Sequence, residues 1–384
     1  MYTPPPVATT SEIDDLLKQD AVVCQGLSGG KDSVSCLLAV HRHLNSIGHK
    51  GPRLAIHSDL GNVEWEQSIT KCQEVADLLG WELIIVRRAA GGMMQRWSVR
   101  WQNNVQRYKD LSCVSLILPW STPSMRFCTS ELKNAPIRSE LRRRFPTSNI
   151  VNATGIRREE SPNRAKMPVA KLDPAGARKG YVAYQWNPII DWKIQSVWDE
   201  ISNAGLEPHE AYSRYNMSRV SCSFCIMSNS SDMYNSSTCE ANQPVYRKMV
   251  ELEVTSTFAF QSNKWLGDVN PGLLSSETLD RLAVAKAVSA ERKALEACIP
   301  KHLLYSGGWP TCIPTLSEAA QLGEIRREVA AGVGLSINCT DADSIVARYQ
   351  ELMALKVAKG GTEKEDGPIL IPAFQIPQQH QLSF

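Results

Sequence analysis

Cys24-Gln25-Gly26-Leu27-Ser28-Gly29-Gly30-Lys31-Asp32-Ser33 continues an apolar run, AVVCQGL, that reads as a buried strand from Ala21 to Leu27. Ser33 to Leu44 reads as a helix, so Ser28, Gly29 and Gly30 stand between a strand and a helix. Glycines there let backbone N–H groups converge on an anion at the positive helix end, with Lys31 adding a mobile charge and Ser28 and Ser33 two hydroxyls. A Walker loop needs Gly, four residues, then Gly-Lys-Ser/Thr. Here Gln25 stands at the first-Gly position and Asp32 follows Lys31, so the stretch is a phosphate cradle of another kind.

Outward from the cradle, RLAIHSD (Arg53 to Asp59) reads as a second strand, Glu64 to Leu79 as a helix stopped at Gly80, and ELIIVR (Glu82 to Arg87) as a third strand. CVSLIL (Cys113 to Leu118) and NIVNATGI (Asn149 to Ile156) extend the pattern, separated by a helix from Ser130 to Arg144. This alternation predicts an α/β fold, a doubly wound parallel sheet of about five strands with flanking helices, binding ligands at the carboxyl ends of its strands. From Asp191 the sequence turns helical: WKIQSVWDEISNAG, Leu279 to Ala297 and Ala342 to Val357 are the clearest runs. The expected organisation is an N-terminal extension (1–19, with Ser11 capping a short helix), a nucleotide domain (20–246), a mostly helical region (247–358) and a flexible tail (359–384) rich in Gly, Pro and Gln.

With 384 residues and 43% hydrophobic content the chain can bury a core. MYTPPPVATT has no basic stretch and no apolar run, which matches neither a signal peptide nor a membrane span; a cytoplasmic protein without a membrane partner is expected. Eleven cysteines in such a compartment point to metal, cluster or buried thiols rather than disulfides. The net charge of +2 is unevenly spread: residues 138–180 hold eleven Arg or Lys against four acids. Arg87 to Lys109 adds six basic residues and no acid, interleaved with Trp97, Trp101 and Tyr108. Such segments suit a nucleic-acid strand, although two tryptophans four residues apart also fit the buried face of an amphipathic helix.

SGGKDS resembles the PP-loop of the adenine-nucleotide alpha-hydrolase superfamily, whose members bind ATP and cleave it between the α and β phosphates. Asp59-Leu60-Gly61 resembles that family's adenine-side segment. MRFCTSELKNAPI (Met125 to Ile137), GIRREESPNRA (Gly155 to Ala165) and NPIIDWKIQSVWDEI (Asn187 to Ile201) resemble phosphoadenosine phosphosulfate reductase-like proteins, so the likeness runs from about Ala21 to Tyr246. Reductases of that family typically lack the Lys-Asp pair and carry a catalytic cysteine near the C-terminus in a Glu-Cys-Gly context. Here Lys31-Asp32 is present, and the last cysteine, Cys339, lies in SINCTD. The chain is therefore more similar to the ATP-pyrophosphatase branch, which includes the sulfur-incorporating component of DNA phosphorothioation and some tRNA-thiolating enzymes.

The resemblance implies ATP-dependent adenylation of an acceptor, with Lys31 and Asp32 as the catalytic pair. Ser28, Gly29, Gly30, Lys31, Asp32, Ser33, Asp59, Gly155, Arg157 and Arg158 are then the ATP-binding residues, and Asp32 and Asp59 candidates for Mg2+ or ribose contacts. Cys222-x-x-Cys225 alone fits a zinc half-site, a redox pair or coincidence. With Cys239 and, by the resemblance, Cys128, it implies an iron–sulfur cluster of the 4Fe-4S type, with zinc as the alternative and Cys113 as a substitute for either outlying thiol. Cys24, Cys36 and Cys72 read as core. The partners expected are ATP, a nucleic-acid acceptor and a sulfur donor such as a cysteine desulfurase. Gln379 to Phe384 also resembles the Gln-x-x-Leu-x-Phe peptides that bind sliding clamps. Two other functions stay open: a sulfonucleotide reductase, and a non-catalytic ATP- or DNA-binding subunit of a defence or modification complex.

Overall fold

The structure is a computed structural model that describes residues 2–305 and 307–359; the clamp-like tail Gln379 to Phe384 lies outside the described residues. β1 (Val22–Gly26) is central in a six-stranded sheet of order β3-β2-β1-β4-β6-β5, where β2 is Arg53–Asp59, β3 Glu82–Arg87, β4 Ile150–Ala153, β5 Ala170–Leu172 and β6 Ala183–Trp186. All neighbours pair in parallel except β5, which runs antiparallel to β6 at the edge.

The strands alternate their side chains between two cores, as a pleated strand must. On one face Val23, Ala55 and Val151 pack with helices α1 (Ser11–Lys18), α2 (Lys31–Ser46) and α3 (Gln67–Leu79) and with helix Ile194–Asn203. On the other, Val22, Cys24, Leu54, Ile56 and Ile150 pack with Leu141, Ile137 and Phe145 of the helix Ala135–Arg144 and the residue after it. The sheet is thus covered on both sides, as expected for a doubly wound fold. The strand order grows from β1 through β2 to β3 and then resumes with β4 on the other side of β1. β1 and β4 therefore flank a topological switch point, and the loops leaving their carboxyl ends face one crevice.

Some expected elements differ. Cys113 to Leu118 is not a strand: the Leu116 N–H donates to the Glu296 carboxylate at 3.0 Å, so a side chain supplies the acceptor a sheet would have. β5 and β6, of three and four residues, are too short to show a period in sequence. Thr10, not Ser11, caps α1, its hydroxyl accepting from the Ile13 N–H. The described residues divide into two compact units: one holds those up to Val99 together with Pro119–Ala285, the other Arg100–Leu118 and the described residues from Lys286. In the second unit, Leu316–Val333 and Ala342–Ala358 pack together around Leu322, Ile325, Ile345 and Tyr349. Among the described residues no helix is long and apolar enough to cross a membrane.

Candidate active site

The loop between β1 and α2 is braced by its own serines. Ser33 Oγ accepts the Ser28 N–H at 3.2 Å, donates to the Gly30 carbonyl at 2.8 Å, and lies 3.2 Å from Ser28 Oγ. Gly29 has φ +75°, and a Cβ there would stand 3.2 Å from the Ser68 carbonyl and 3.3 Å from the His209 ring. Conformation and space both require glycine.

Three charged residues gather at the switch point. Asp32 at the start of α2 accepts from Arg157 Nε through Oδ1 at 2.7 Å and pairs with Lys31 Nζ through Oδ2 at 3.0 Å. Arg157 follows β4, which is why residues 125 positions apart meet. Lys31 and Arg157 are buried, and Arg157 is also held by Glu159 at 2.7 Å. Gly155 makes this meeting possible, because a Cβ on it would lie 2.4 Å from the Asp32 carbonyl oxygen. Its role is the close approach of two backbones. Arg158, expected beside Arg157, pairs instead with Asp191 and donates to the Met167 carbonyl at 3.4 Å.

A strap from His209 to Val220 lies over the loop, and sequence reasoning missed it. The buried Tyr212 hydroxyl accepts both the Lys31 N–H and the Val220 N–H at 3.1 Å. Lys31 Nζ donates to the Ser218 carbonyl at 3.4 Å and sits 5.4 Å from the centre of the Tyr212 ring. The space left among Gly29, Lys31, Lys71, His209 and Tyr212 is about 10 Å³, at the lower limit for one water. His209 is buried, and burial and then Lys71 push it down to about 4, so the ring is neutral. Its Nδ1 accepts the Ala211 N–H, and its Nε2–H faces Ser68 Oγ at 3.3 Å.

Asp59, at the end of β2, has both oxygens engaged: Oδ1 accepts the Gly61 N–H at 2.7 Å and Oδ2 pairs with Arg87 at 2.5 Å. The oxygens of Asp32 are likewise engaged by cations, so both expected Mg2+ ligands organise protein charge as placed. Asp59, Glu64, Arg87, Arg88 and Lys248 line a cavity of about 560 Å³ beyond the ends of β2 and β3. Behind it, the buried His57 faces acceptors at both nitrogens, the Leu27 carbonyl at 2.9 Å and Glu64 Oε2 at 3.0 Å. A ring donating from both is an imidazolium. Burial opposes that charge, but Cys72 and Glu64 outweigh it and lift His57 to about 10.

Cys128, Cys222 and Cys225 are half-buried. The Cys222 thiol is pushed up, by burial first and then by Cys225, with Cys128 also near enough for its charge to be felt. Cys239 is packed with Trp65, Ala211 and Met217 and hydrogen-bonded to Tyr215. Among the described residues no three His, Cys, Asp or Glu side chains converge as metal ligands. Cys128, Cys222 and Cys225 are the thiols whose charges reach one another and that would hold such a group, and no step is derived through one.

The basic segment 87–109 is largely spent inside the protein. Arg96 grips Glu131 at 2.7 and 2.8 Å and covers the Phe127 ring at 4.6 Å, while Trp97 is buried edge-on against Trp120 and Phe260. Trp97 and Trp101 are both buried and offer no stacking platform.

The sequence profile of the phosphoadenosine phosphosulfate reductase domain matches residues 23–228. No curated protein matches the chain. Among solved structures, the phosphoadenylyl-sulfate reductase of Candida auris in its phosphate complex is 13% identical over 57% of this chain and 98% of its own, with a TM-score of 0.34. The U34-tRNA thiolase NcsA of Methanococcus maripaludis, with its 4Fe-4S cluster, is 18% identical over 62% of this chain and 75% of its own, with a TM-score of 0.33. Likenesses at this level carry no argument about chemistry.

Proposed function

The chain belongs to the phosphoadenosine phosphosulfate reductase domain family, and we propose that within it this protein is a PP-loop ATP pyrophosphatase that adenylates a nucleic-acid acceptor for iron–sulfur-dependent sulfur transfer. The observation that carries this reading is the Lys31–Asp32–Arg157 set at the switch point, beside a glycine loop that opens a helix. ATP enters as its magnesium complex. An acceptor oxygen attacks the α-phosphorus, the bond to the β-phosphate oxygen breaks, pyrophosphate leaves, and the acceptor carries AMP. Loop N–H groups and Lys31 neutralise the charge that gathers on the departing pyrophosphate, while Arg157 keeps Asp32 aligned with Lys31. A donor such as a cysteine desulfurase hands over a persulfide sulfur; a second thiol reduces it to hydrosulfide and is left as half of a disulfide, and the hydrosulfide displaces AMP from the acceptor.

The iron–sulfur part rests on donor chemistry, three neighbouring thiols, and is tested by anaerobic iron and sulfide analysis with an absorption spectrum on the wild type and Cys222→Ala. Colourless, iron-free wild-type protein would remove that part alone. The enzyme itself is tested by incubating the protein with MgATP and DNA or RNA and measuring AMP and pyrophosphate; no pyrophosphate with any acceptor refutes it. The family description also favours a second reading, a sulfonucleotide reductase, which predicts sulfite from phosphoadenosine phosphosulfate and a reduced thioredoxin.

In this conformation Tyr212 holds the Lys31 N–H that an incoming phosphate would use, so the strap must lift for nucleotide to bind. Tyr212→Phe removes two hydrogen bonds from the closed form only. At about 1 kcal/mol for each bond, nucleotide affinity should rise roughly thirtyfold while the ligand-free protein melts earlier. Isothermal titration with a non-hydrolysable ATP analogue reads the first effect; unchanged or weaker binding would show that the strap does not compete.

A further inference from the structure

We propose that a depression between helix Ala135–Arg144 and the β5–β6 connection is a second anion site, gripping the phosphodiester backbone of the acceptor nucleic acid. The proposal rests on the nucleic-acid reading above and adds the surface that would hold it. The depression measures about 360 Å³ and is lined by Ala135, Arg138, Ser139, Arg142, Ala175 and Arg178, three guanidiniums and no acid. Arg138 and Arg142 stand one helical turn apart and share a face. Arg138 is held by Asp173 in a two-pronged pair at 2.8 Å, which fixes its orientation and cancels its charge.

The other two arginines have no such partner. Neither Arg142 nor Arg178 forms an ion pair among the described residues. Arg142 reaches only the Ala175 carbonyl at 3.5 Å, and its Nε has no hydrogen-bond partner. Arg178 uses Nε on the Arg142 carbonyl at 3.2 Å, leaving the outer end of its guanidinium for a ligand. Two uncompensated guanidiniums on one concavity repel each other, and a phosphate oxygen pair is the planar acceptor their geometry matches. Elsewhere in the 138–180 segment Arg144, Arg157, Arg158 and Arg164 are neutralised by Glu82, Asp32, Asp191 and Glu160, so the surplus of that segment is concentrated here.

The form of the site favours a polymer backbone over a free nucleotide. No aromatic ring lines it, so it reads phosphate and not base, and exposed Lys171 and Lys179 continue the positive surface beyond it. The helix that carries Arg138 and Arg142 also continues the Cys128 segment, and Arg142 stands about 20 Å along it from Cys128 at a rise of about 1.5 Å per residue. A strand held here would span about six nucleotides to reach that segment at about 3.4 Å each.

Fluorescence anisotropy with short labelled single- and double-stranded DNA and RNA, over a salt series, tests the site. Arg142→Ala with Arg178→Ala should weaken binding about tenfold or more and lower the slope of log affinity against log salt by about 2, roughly one per lost phosphate contact, with ATP binding unchanged. If the wild type binds nucleic acid and the double variant binds it equally with the same slope, the depression is not the grip and the acceptor reading survives. If the wild type binds none of the probes, the acceptor reading falls and this proposal with it. Arg178→Ala alone, at an exposed position, keeps the test open should the double variant be unstable: its slope falls by about 1, or the proposal fails.

Discussion

Asp32→Ala is expected to lower pyrophosphate release by about a thousandfold and to destabilise the protein by about 3 kcal/mol. Asp32 is the shared counter-charge of Lys31 and Arg157, both buried. Without it Arg157 keeps Glu159, but Lys31 retains only the Ser218 carbonyl and the Tyr212 ring. A buried ammonium without a carboxylate turns away, which removes the charge from where, in the proposed reaction, pyrophosphate leaves. Asp32→Asn sharpens the test. Its amide oxygen can still accept from one cation, but its NH2 then faces the other, so it should recover part of the stability and little of the activity. Thermal unfolding and steady-state pyrophosphate release, measured on both variants, separate the effects. Activity within a few-fold of wild type in Asp32→Asn would mean that the negative charge at this position is not needed.

The same residues mark what could be read from sequence. The cradle was legible because its parts, Ser28 to Ser33, are contiguous and carry their geometry locally. The segment GIRREESPNRA drew notice to Arg157, but not to its grip on Asp32, because this depends on β4 resuming the sheet beside β1. Tyr212 left no signal: it is one tyrosine among ten, and only the fold lays it on the Lys31 N–H. Charge counting over 138–180 gave the sign of the surface but overstated its extent, since most of those arginines are paired within the protein. Cys222 and Cys225 are neighbours by their spacing alone, whereas nothing local could tell that Cys239 would pack against Trp65 and bond Tyr215.

Glu253→Ala, far from the phosphate loop in sequence, should have the larger effect on stability, because one carboxylate there holds a whole loop. Glu253 lies fully buried on helix Gln243–Ser256 and accepts the N–H groups of Phe260 at 2.6 Å, Leu266 at 2.8 Å and Gly267 at 3.0 Å. Three buried donors left without an acceptor cost about 1–3 kcal/mol each, so a loss of at least about 3 kcal/mol is expected. The loop has a second duty: Gln261 donates to the carbonyls of Ile226 and Ser228 at 2.8 Å, just after Cys225, so loosening it should also speed alkylation of Cys222 and Cys225. Burial pushes the Glu253 carboxyl up to about 7, against the pull of its three N–H partners. The folded state therefore holds this proton more tightly than the unfolded chain, whose value is about 4.3. The sign follows: its stabilising contribution is complete below about pH 4.3 and is lost as pH rises through about 7, a loss of about 4 kcal/mol at about 1.4 kcal/mol per unit. Glu253→Gln cannot titrate. It keeps an acceptor for Phe260 and Leu266 but turns an NH2 towards Gly267, so it should be less stable than wild type at pH 5, with the gap closing towards pH 8. Urea unfolding at both pH values measures the gap, and a gap that stays constant would assign the pH dependence to another group.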